Sequence, residues 1–332
     1  MAPRVLVCPI EMTQKPTARW SEILTEAGLE TVCRPQDLWL RDPVKLLAYL
    51  KAERIDAIVA GLETVDRHVL ESGLLRAVAR YGVGYDSVDI AAATECKVAV
   101  TITPGVNHIA VAEHTLAMIL GLMRLVRERD RATREGNWVR FPNARLAGKT
   151  LGLVGLGRIG KAIVPRAQGF GVKVIAYDPY PDREFAAAHD VRICSLDEIW
   201  ADSDIVSLHL PAGPGSKPLM DRSTLAKLRP GAILINTARG VLVDDDALIE
   251  ALVSGHLGGA ALDCFVVEPL PTTSRLLAAP NLLLSPHVAG QDHESAAAAG
   301  SLATECLACL YRGQELQPGC LVNPAIFPGW KW

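Results

Sequence analysis

The sequence contains no run of five or more basic residues, and its formal net charge is −3 over 332 residues. Proteins that bind nucleic-acid phosphates present clustered lysine and arginine, so nucleic acid is not an expected partner. Hydrophobic residues make up 49% of the chain and charged residues 21%, a balance that excludes a disordered protein. Since a domain has roughly 100–200 residues, we expect two domains with separate cores.

Long uninterrupted apolar runs are also missing. The N-terminal run Val5–Ile10 is shorter than the apolar core of a secretory signal, which has roughly 7–15 residues. The longest helix-like apolar stretch, Ile109–Val126, includes Glu113 and Arg124, whose burial in lipid is costly. We therefore expect neither a secretory signal nor a membrane span.

The eight cysteines lack the dense pairing of a small disulfide scaffold and are scattered at positions 8, 33, 96, 194, 264, 306, 309 and 320. This usage favours a reducing, cytoplasmic setting. Cys306 and Cys309 form a CxxC motif, but no second Cys or His pair lies nearby in the sequence to complete a zinc site. Buried packing is the preferred interpretation, and we expect no bound metal.

Between Arg4 and about Thr103, short β-branched runs alternate with helical patterns, as in parallel βα units. The predicted strands are Val5–Ile10, Thr31–Arg34, Ile55–Ala60, Leu75–Arg80 and Val98–Thr101. This pattern predicts a five-stranded parallel sheet covered by helices.

The segment Thr103–Gly105 then breaks the pattern, and a long, largely apolar helix is predicted from Ile109 to about Arg134. Such a helix has more apolar surface than one small sheet can cover. Its excess is expected to pack on the other domain or on a second subunit, which makes a homodimer a hypothesis.

A second βα series begins at Thr150, with predicted strands Thr150–Val154, Val174–Tyr177, Ile205–Leu208, Ala232–Asn236, Gly259–Asp263 and Leu282–Ser285. The alanine-rich segment after His293 predicts a last helix that stops at Gly313 and returns to the first domain. We therefore predict that residues 104–295 form a domain inserted into another, which comprises residues 1–103 and 296–332.

A glycine motif follows the first strand of the inserted domain. Gly155, Gly157 and Gly160 have GxGxxG spacing at a strand-to-helix junction, where glycine permits a tight turn and the approach of a pyrophosphate to the backbone. Asp178 ends the next strand, 23 positions after Gly155, where a carboxylate can bind both adenosine ribose hydroxyls and repel a 2′-phosphate. The pattern predicts NAD rather than NADP, although Asp178 could instead only cap the turn before Pro179.

A second glycine-rich turn, Tyr81–Asp86, follows the fourth predicted strand and lacks the third glycine of the motif. It is therefore not a second dinucleotide site. Its N–H groups could bind a small anion such as a substrate carboxylate, and a purely structural turn is the near-equal alternative.

Three residues of complementary chemistry follow strands of the inserted sheet. Arg239, Glu268 and His287 come after AILINTA, GAALDCF and NLLLS, where ligands of open α/β sheets bind. A histidine can accept or donate the hydroxyl proton during hydride transfer, a carboxylate can orient it, and an arginine can bind an acid in fork geometry. Taken singly, each could be a surface pair, a cap or a packed loop residue. His209, also at a strand end, is a rival base that we place near the cofactor.

These segments resemble the D-2-hydroxyacid dehydrogenase family, which includes phosphoglycerate dehydrogenase and glyoxylate/hydroxypyruvate reductase. The resemblance covers nearly the whole chain and is carried by the motifs YGVGYDSVD, GKTLGLVGLGRIG, NTARGVLVDDDALIEAL, GGAALDCFVVEPLP and NLLLSPHVAG. It implies a Rossmann NAD-binding domain inserted into a flavodoxin-like substrate domain, both of them doubly wound parallel-sheet α/β domains, and a homodimer formed through the cofactor domain.

The resemblance also implies the roles of individual residues. Arg239 would hold the substrate carboxylate, Glu268 would orient and charge His287, and His287 would transfer the proton. Backbone groups of Val83 and Gly84 would also contact the carboxylate. The further cofactor contacts that it implies, beside the three glycines, are Arg158, Ile159, Asp178, Leu210, Thr237 and Asp263.

The expected activity is NAD-dependent, D-specific hydride transfer between a cofactor and a small 2-hydroxy or 2-keto acid. Two alternatives stay open: a nucleotide-sensing corepressor-like binding protein, and a dehydrogenase of another small oxyanion such as phosphite. The choice of acid is expected to depend on loops such as Glu11–Pro16, Gly61–Thr64 and Gly136–Phe141.

Overall fold

The contacts within the chain divide it into two compact units. The first unit comprises Met1–Asn107 and Gln291–Trp332, and the second comprises His108–Gly290. The computed structural model describes residues 2–14, 18–36, 38, 40–138, 140–213, 215–327 and 329–332.

The first unit contains a parallel sheet in the order β2-β1-β3-β4-β5, which is the flavodoxin-like order. Its strands are β1 (Arg4–Val7), β2 (Glu30–Cys33), β3 (Ala57–Ala60), β4 (Ala77–Arg80) and β5 (Ala99–Thr101). Every residue of β3 and β4 is buried, as expected of strands covered on both faces. The predicted fold class is confirmed for this unit.

The second unit contains a parallel sheet in the order β12-β11-β10-β9-β6-β7-β8, which includes the doubly wound Rossmann order and one further strand. Its strands are β6 (Thr150–Val154), β7 (Lys173–Tyr177), β8 (Arg192–Ile193), β9 (Ile205–Leu208), β10 (Ala232–Asn236), β11 (Leu257–Leu262) and β12 (Leu282–Leu284). The sequence patterns predicted all of these except β8. A two-residue edge strand is too short to produce a periodic signal.

Helices connect the strands, and each sheet has a hydrophobic cluster on either face. Leu234 and Ile235 are neighbours in β10 but belong to different clusters, because successive strand residues point to opposite faces. The described helices are α1 (Ile10–Thr13), α2 (Arg19–Ala27), α3 (Pro43–Glu53), α4 (Arg67–Leu70), α5 (Ile90–Glu95), α6 (His108–Arg124), α7 (Val126–Arg134), α8 (Arg158–Gly169), α9 (Arg183–Ala188), α10 (Leu196–Asp202), α11 (Arg222–Leu225), α12 (Asp245–Val253) and α13 (His293–Arg312).

The predicted single helix from Ile109 to Arg134 is wrong, because α6 and α7 are separate and meet at an angle of 57°. Leu125 lies between them with a left-handed φ of 49°. The break falls where the apolar pattern ends: α6 buries residues such as Met118 and Ile119, whereas α7 buries none. Within the described chain, no single helix has the length and hydropathy of a membrane span, and only this bent pair meets both criteria together.

The last helix, α13, ends at Gly313 as predicted, with Gly313 in the left-handed conformation at φ 64°. It belongs to the first unit and packs on α2, where Ala303 and Leu307 join the cluster of Leu24. The chain thus returns, through this helix, to the unit that contains the first sheet. Cys306 of the CxxC motif packs against Leu302 and Cys320.

Candidate active site and cofactor cradle

The glycine motif forms a tight turn between β6 and α8. A Cβ atom on Gly155 would lie 2.8 Å from the carbonyl carbon of His209, and one on Gly160 would lie 2.4 Å from the carbonyl oxygen of Gly155. A Cβ on Gly157 would meet nothing within 4 Å, so the space before the first turn of α8 is open. No side chain caps this helix, whose N–H groups face the open space. The turn therefore fits the pyrophosphate of a dinucleotide.

Asp178 lies beside this turn, at the end of β7. Its Oδ2 accepts a hydrogen bond from the Leu156 N–H at 2.7 Å, and its Oδ1 accepts one from the Tyr180 N–H at 2.8 Å. Asp178 thus stabilises the turn, as the capping interpretation expects. Each carboxylate oxygen retains a second lone pair, so the same side chain can also accept from ribose hydroxyls.

The other residues implied as cofactor contacts also follow strands of this sheet or begin α8. Arg158 and Ile159 form the first turn of α8, and Leu210 follows β9 beside Gly155. Thr237 follows β10 and pairs with the Thr115 hydroxyl at 3.1 Å. Their contacts with a cofactor stay a prediction.

His209 packs at the glycine turn, since its N–H donates to the Val154 carbonyl. Its Nε2 pairs with the Ser207 hydroxyl at 2.8 Å, and its Nδ1 has no hydrogen-bond partner among the described residues. Burial lowers the pKa of His209 to about 3, so this imidazole stays neutral near pH 7 and is a weak base. These features favour the cofactor side over the role of rival base.

Glu268 and His287 form a hydrogen-bonded pair. The Nδ1 of His287 lies 2.8 Å from Oε2 and 3.0 Å from Oε1 of Glu268, and Oε1 also accepts from the Phe265 N–H at 3.0 Å. The Cys264 thiol and the Glu268 carboxylate raise the pKa of His287 to about 10. The pair therefore holds a charged imidazolium with Nδ1 fixed, which leaves Nε2 for another partner.

Asp263, at the end of β11, anchors the His287 loop. Its fully buried carboxylate accepts hydrogen bonds from the Ser285 hydroxyl at 2.5 Å and from the Val288 and Ala289 N–H groups at 2.9 Å. The His287 N–H donates to its carbonyl at 2.8 Å. These bonds stabilise the left-handed backbone of His287, at φ 56°, which L residues rarely adopt. The family resemblance implies a cofactor role for Asp263, whereas this anchoring role was not predicted from the sequence.

Arg239 follows β10 and lies on the turn next to this pair. Its Nη1 donates to the Ala238 carbonyl at 2.7 Å, and its own carbonyl accepts from the Asn236 amide at 2.7 Å. A Cβ atom on Gly240 would lie 2.1 Å from the carbonyl carbon of Phe265. Only glycine therefore allows the Arg239 turn to contact the segment that precedes Glu268. This contact brings the three predicted catalytic residues into one region of the second unit.

Replacement of Gly240 by Ala is expected to push the Arg239 turn away from Phe265, because the new methyl group overlaps backbone atoms that cannot rotate aside. A misplacement of about 1 Å at a reacting group can lower the rate about 10²-fold. We expect kcat/KM to fall by about that factor. Gly169→Ala is the matched control, since a Cβ there meets nothing within 4 Å and Gly169, like Gly240, is not in the left-handed region. An unchanged kcat/KM in Gly240→Ala would contradict this account.

The Val83 and Gly84 turn belongs to the first unit and is held by neighbouring side chains. Buried Arg80, the last residue of β4, donates to the Gly84 carbonyl at 2.8 Å and to the Ala60 carbonyl at 2.7 Å. Arg80 was not among the residues predicted from the sequence. The available signal was a charged residue at the end of an otherwise apolar strand, directly before a glycine-rich turn.

Two of the three loops predicted to line the substrate pocket include residues outside the described chain. Lys15 and Pro16 fall in the loop Glu11–Pro16, and Val139 falls in the loop Gly136–Phe141. In the third loop, Gly61–Thr64, the Gly61 N–H donates to the buried Glu63 carboxylate at 2.7 Å.

Comparison with protein-family models gives one match for the second unit. Residues 116–289 match the model described as D-isomer specific 2-hydroxyacid dehydrogenase, NAD binding domain.

Curated dehydrogenase and reductase sequences align with most of the chain. The D-3-phosphoglycerate dehydrogenase of Mycobacterium bovis is 40% identical over 295 residues, which cover 86% of this chain and 56% of that protein. The glyoxylate reductase of Korarchaeum cryptofilum is 37% identical over 300 residues, which cover 87% of this chain and 90% of that protein. The chain thus spans about half the length of the mycobacterial relative.

Solved structures share the fold. The apo-structure of D-lactate dehydrogenase from Escherichia coli matches with a TM-score of 0.83 and 27% identity, over 96% of this chain and 100% of that chain. The NAD-dependent formate dehydrogenase from Staphylococcus aureus, solved in complex with NAD, matches with a TM-score of 0.83 and 27% identity, over 96% of this chain and 98% of that chain.

Proposed function

Because the chain belongs to the D-isomer specific 2-hydroxyacid dehydrogenase family, we propose that it is an NAD-dependent oxidoreductase of small 2-hydroxy and 2-keto acids with D specificity. The hydrogen bond between Glu268 and His287 is the observation that carries this proposal. A nucleotide-sensing binding protein needs no group for proton transfer, whereas this pair provides one.

NAD, when bound at the glycine turn, supplies the hydride acceptor, and NADH supplies the donor. Reduction of a 2-keto acid also requires a proton for the carbonyl oxygen. The charged His287 donates it from Nε2, while Glu268 keeps Nδ1 bonded and stabilises the imidazolium before the transfer. In the reverse direction the neutral imidazole accepts the hydroxyl proton.

The carboxylate of the substrate requires a fixed cationic partner. The Arg239 guanidinium can bind it through two parallel N–H groups, which orients the adjacent carbonyl as well as attracting the acid. We propose in addition that the backbone N–H groups of Val83 and Gly84 bind this carboxylate.

The test is a panel of 2-keto acids, including glyoxylate and hydroxypyruvate, assayed by NADH consumption with the purified protein. We expect turnover of at least one acid with NADH and a much lower kcat/KM with NADPH, since Asp178 would repel the 2′-phosphate. No NADH consumption with any acid would refute the activity, and equal efficiency with NADPH would refute the cofactor preference.

The rate of keto-acid reduction should depend on pH through His287. Its pKa is raised from 6.5 to about 10, so the proton-donating form persists through neutral pH and is lost only as the pH rises toward 10. We expect a flat kcat in the neutral range and a decline in alkaline solution. Glu268→Gln removes one charge that raises this pKa, and the decline should begin at lower pH. An identical pH profile for both proteins would contradict this role of Glu268.

We further propose a homodimer formed through the second unit and a reducing, cytoplasmic compartment. Support for the dimer comes from exposed apolar side chains on and after α7, where Val126, Trp138 and Phe141 are 57%, 80% and 50% exposed. Support for the compartment comes from cysteines that are all unpaired. A monomeric mass in light scattering at micromolar concentration would refute the dimer.

A further inference from the structure

A thiol lies next to the Glu268 and His287 pair and transfers no proton in the proposed reaction. The Cys264 Sγ, a carboxylate oxygen of Glu268 and a ring nitrogen of His287 all lie within 4.8 Å of one another. Cys264 is 2% exposed, and its Sγ donates to the Ala238 carbonyl at 3.4 Å. The backbone after β10 thus holds the thiol against the pair.

Thiolate, imidazole and carboxylate are the three side-chain types that bind Zn²⁺ in proteins. With metal–ligand bonds of about 2.0–2.3 Å, tetrahedral geometry places the ligand atoms about 3.3–3.8 Å apart. To reach that spacing, the Sγ atom would move toward the pair by about 1.5 Å at most, and the Nδ1 and Oε2 atoms, 2.8 Å apart, would separate by about 0.5 Å. The thiol also selects softer cations over Mg²⁺ and Ca²⁺, which prefer oxygen ligands.

Three protein ligands leave one tetrahedral position for water, as in exchangeable zinc sites and unlike closed four-ligand structural sites. The half-exposed side of His287 provides access, since 38% of its side chain is exposed. Binding would release the proton of the thiol and that of the imidazolium to the solvent. When a ring nitrogen of His287 binds the metal, His287 is no longer the imidazolium that pairs with Glu268 and donates the proton.

We propose that Cys264, Glu268 and His287 form a reversible, inhibitory site for a thiophilic divalent cation, with Zn²⁺ as the probe. The binding site follows from the geometry alone. Its effect on turnover rests on the proposed function.

Cobalt absorption tests the site without any assay of activity. Thiolate ligation of Co²⁺ gives a sulfur-to-metal charge-transfer band, so we expect that band in the full-length wild-type protein and its displacement by Zn²⁺. Cys264→Ser and Cys264→Val should lack the band, whereas the control Cys33→Ser, which removes an exposed thiol, should retain it. Circular dichroism checks that each variant is folded. A band of wild-type intensity in folded Cys264→Val, or its absence from the wild type, would overturn the site.

Zinc inhibition tests the consequence. Each protein is assayed for keto-acid reduction over a series of Zn²⁺ concentrations, relative to its own rate in EDTA. Loss of the thiolate should raise the Zn²⁺ concentration that halves the rate by about 10²-fold or more. Loss of a residue that only hydrogen-bonds to a metal ligand lowers metal affinity by roughly 10–100-fold, and loss of a ligand should cost more. Cys33→Ser should match the wild type, and EDTA should restore its rate. Equal inhibition of Cys264→Val would overturn the regulatory effect, while a cobalt band without turnover of any acid would overturn only the proposed reaction.

Discussion

Exchange of His287 for Asn is expected to lower kcat about 10²–10⁴-fold, the usual contribution of general acid–base catalysis, with little change in the Kd of NADH. Asn tolerates the left-handed backbone of His287, at φ 56°, so this variant removes the imidazole without straining the loop. Single-turnover kinetics and NADH fluorescence titration measure the two quantities separately.

His209→Asn is the informative comparison, because His209 was the rival base. Its Ser207 contact and its place at the glycine turn predict a change in NADH binding rather than in the pH dependence of kcat. If His209→Asn abolished the alkaline decline and His287→Asn left it intact, the assignment of the proton donor would be reversed.

Exchange of Arg239 for Lys is expected to lower kcat/KM for the keto acid about 10²–10³-fold. Loss of one partner from a desolvated charge pair costs about 2–5 kcal/mol, and an ammonium group does not reproduce the planar fork of a guanidinium. Both KM and kcat should suffer, since the same contact binds the acid and orients its carbonyl. Initial-rate measurements over a range of keto-acid concentrations separate the two.

Arg275→Lys provides the matched control, because Arg275 is an exposed arginine of the same unit that pairs with Asp246. Its kcat/KM should equal that of the wild type. A loss in Arg239→Lys no larger than in this control would remove Arg239 from substrate binding.

The sequence predicted the sheets well because strands buried on both faces are continuous apolar runs. Segments such as Ile205–Leu208 and Ala232–Asn236 have the same bounds in the structure as in the prediction. The apolar pattern gave a wrong prediction for α6 and α7, where the end of a helix depends on which residues are buried in the folded protein. The residues around Leu125 are good helix formers on either side, and the break reflects the absence of core contacts beyond Val126.

The site was predictable to the extent that it follows strand ends. That rule located Glu268 and His287, since the carboxyl ends of parallel strands meet at one edge of a sheet. The pattern could not show that Gly240 approaches Phe265, because this contact joins segments distant in the sequence. Nor could it show that the Asp263 carboxylate accepts hydrogen bonds from the His287 loop. The direction of a side chain that follows a strand depends on the loop that packs against it.

The return of α13 to the first sheet has a consequence for synthesis of the chain. Ala303, Leu307 and Leu310 complete a cluster that also contains Leu24 and residues of β1 and β3. A nascent chain that has emerged only as far as Asn107 cannot bury that face, and the whole of His108–Gly290 must be made before it can. The second unit, whose sequence is continuous, can fold first, while the apolar face of the earlier-made sheet stays open to non-native association until α13 has been made.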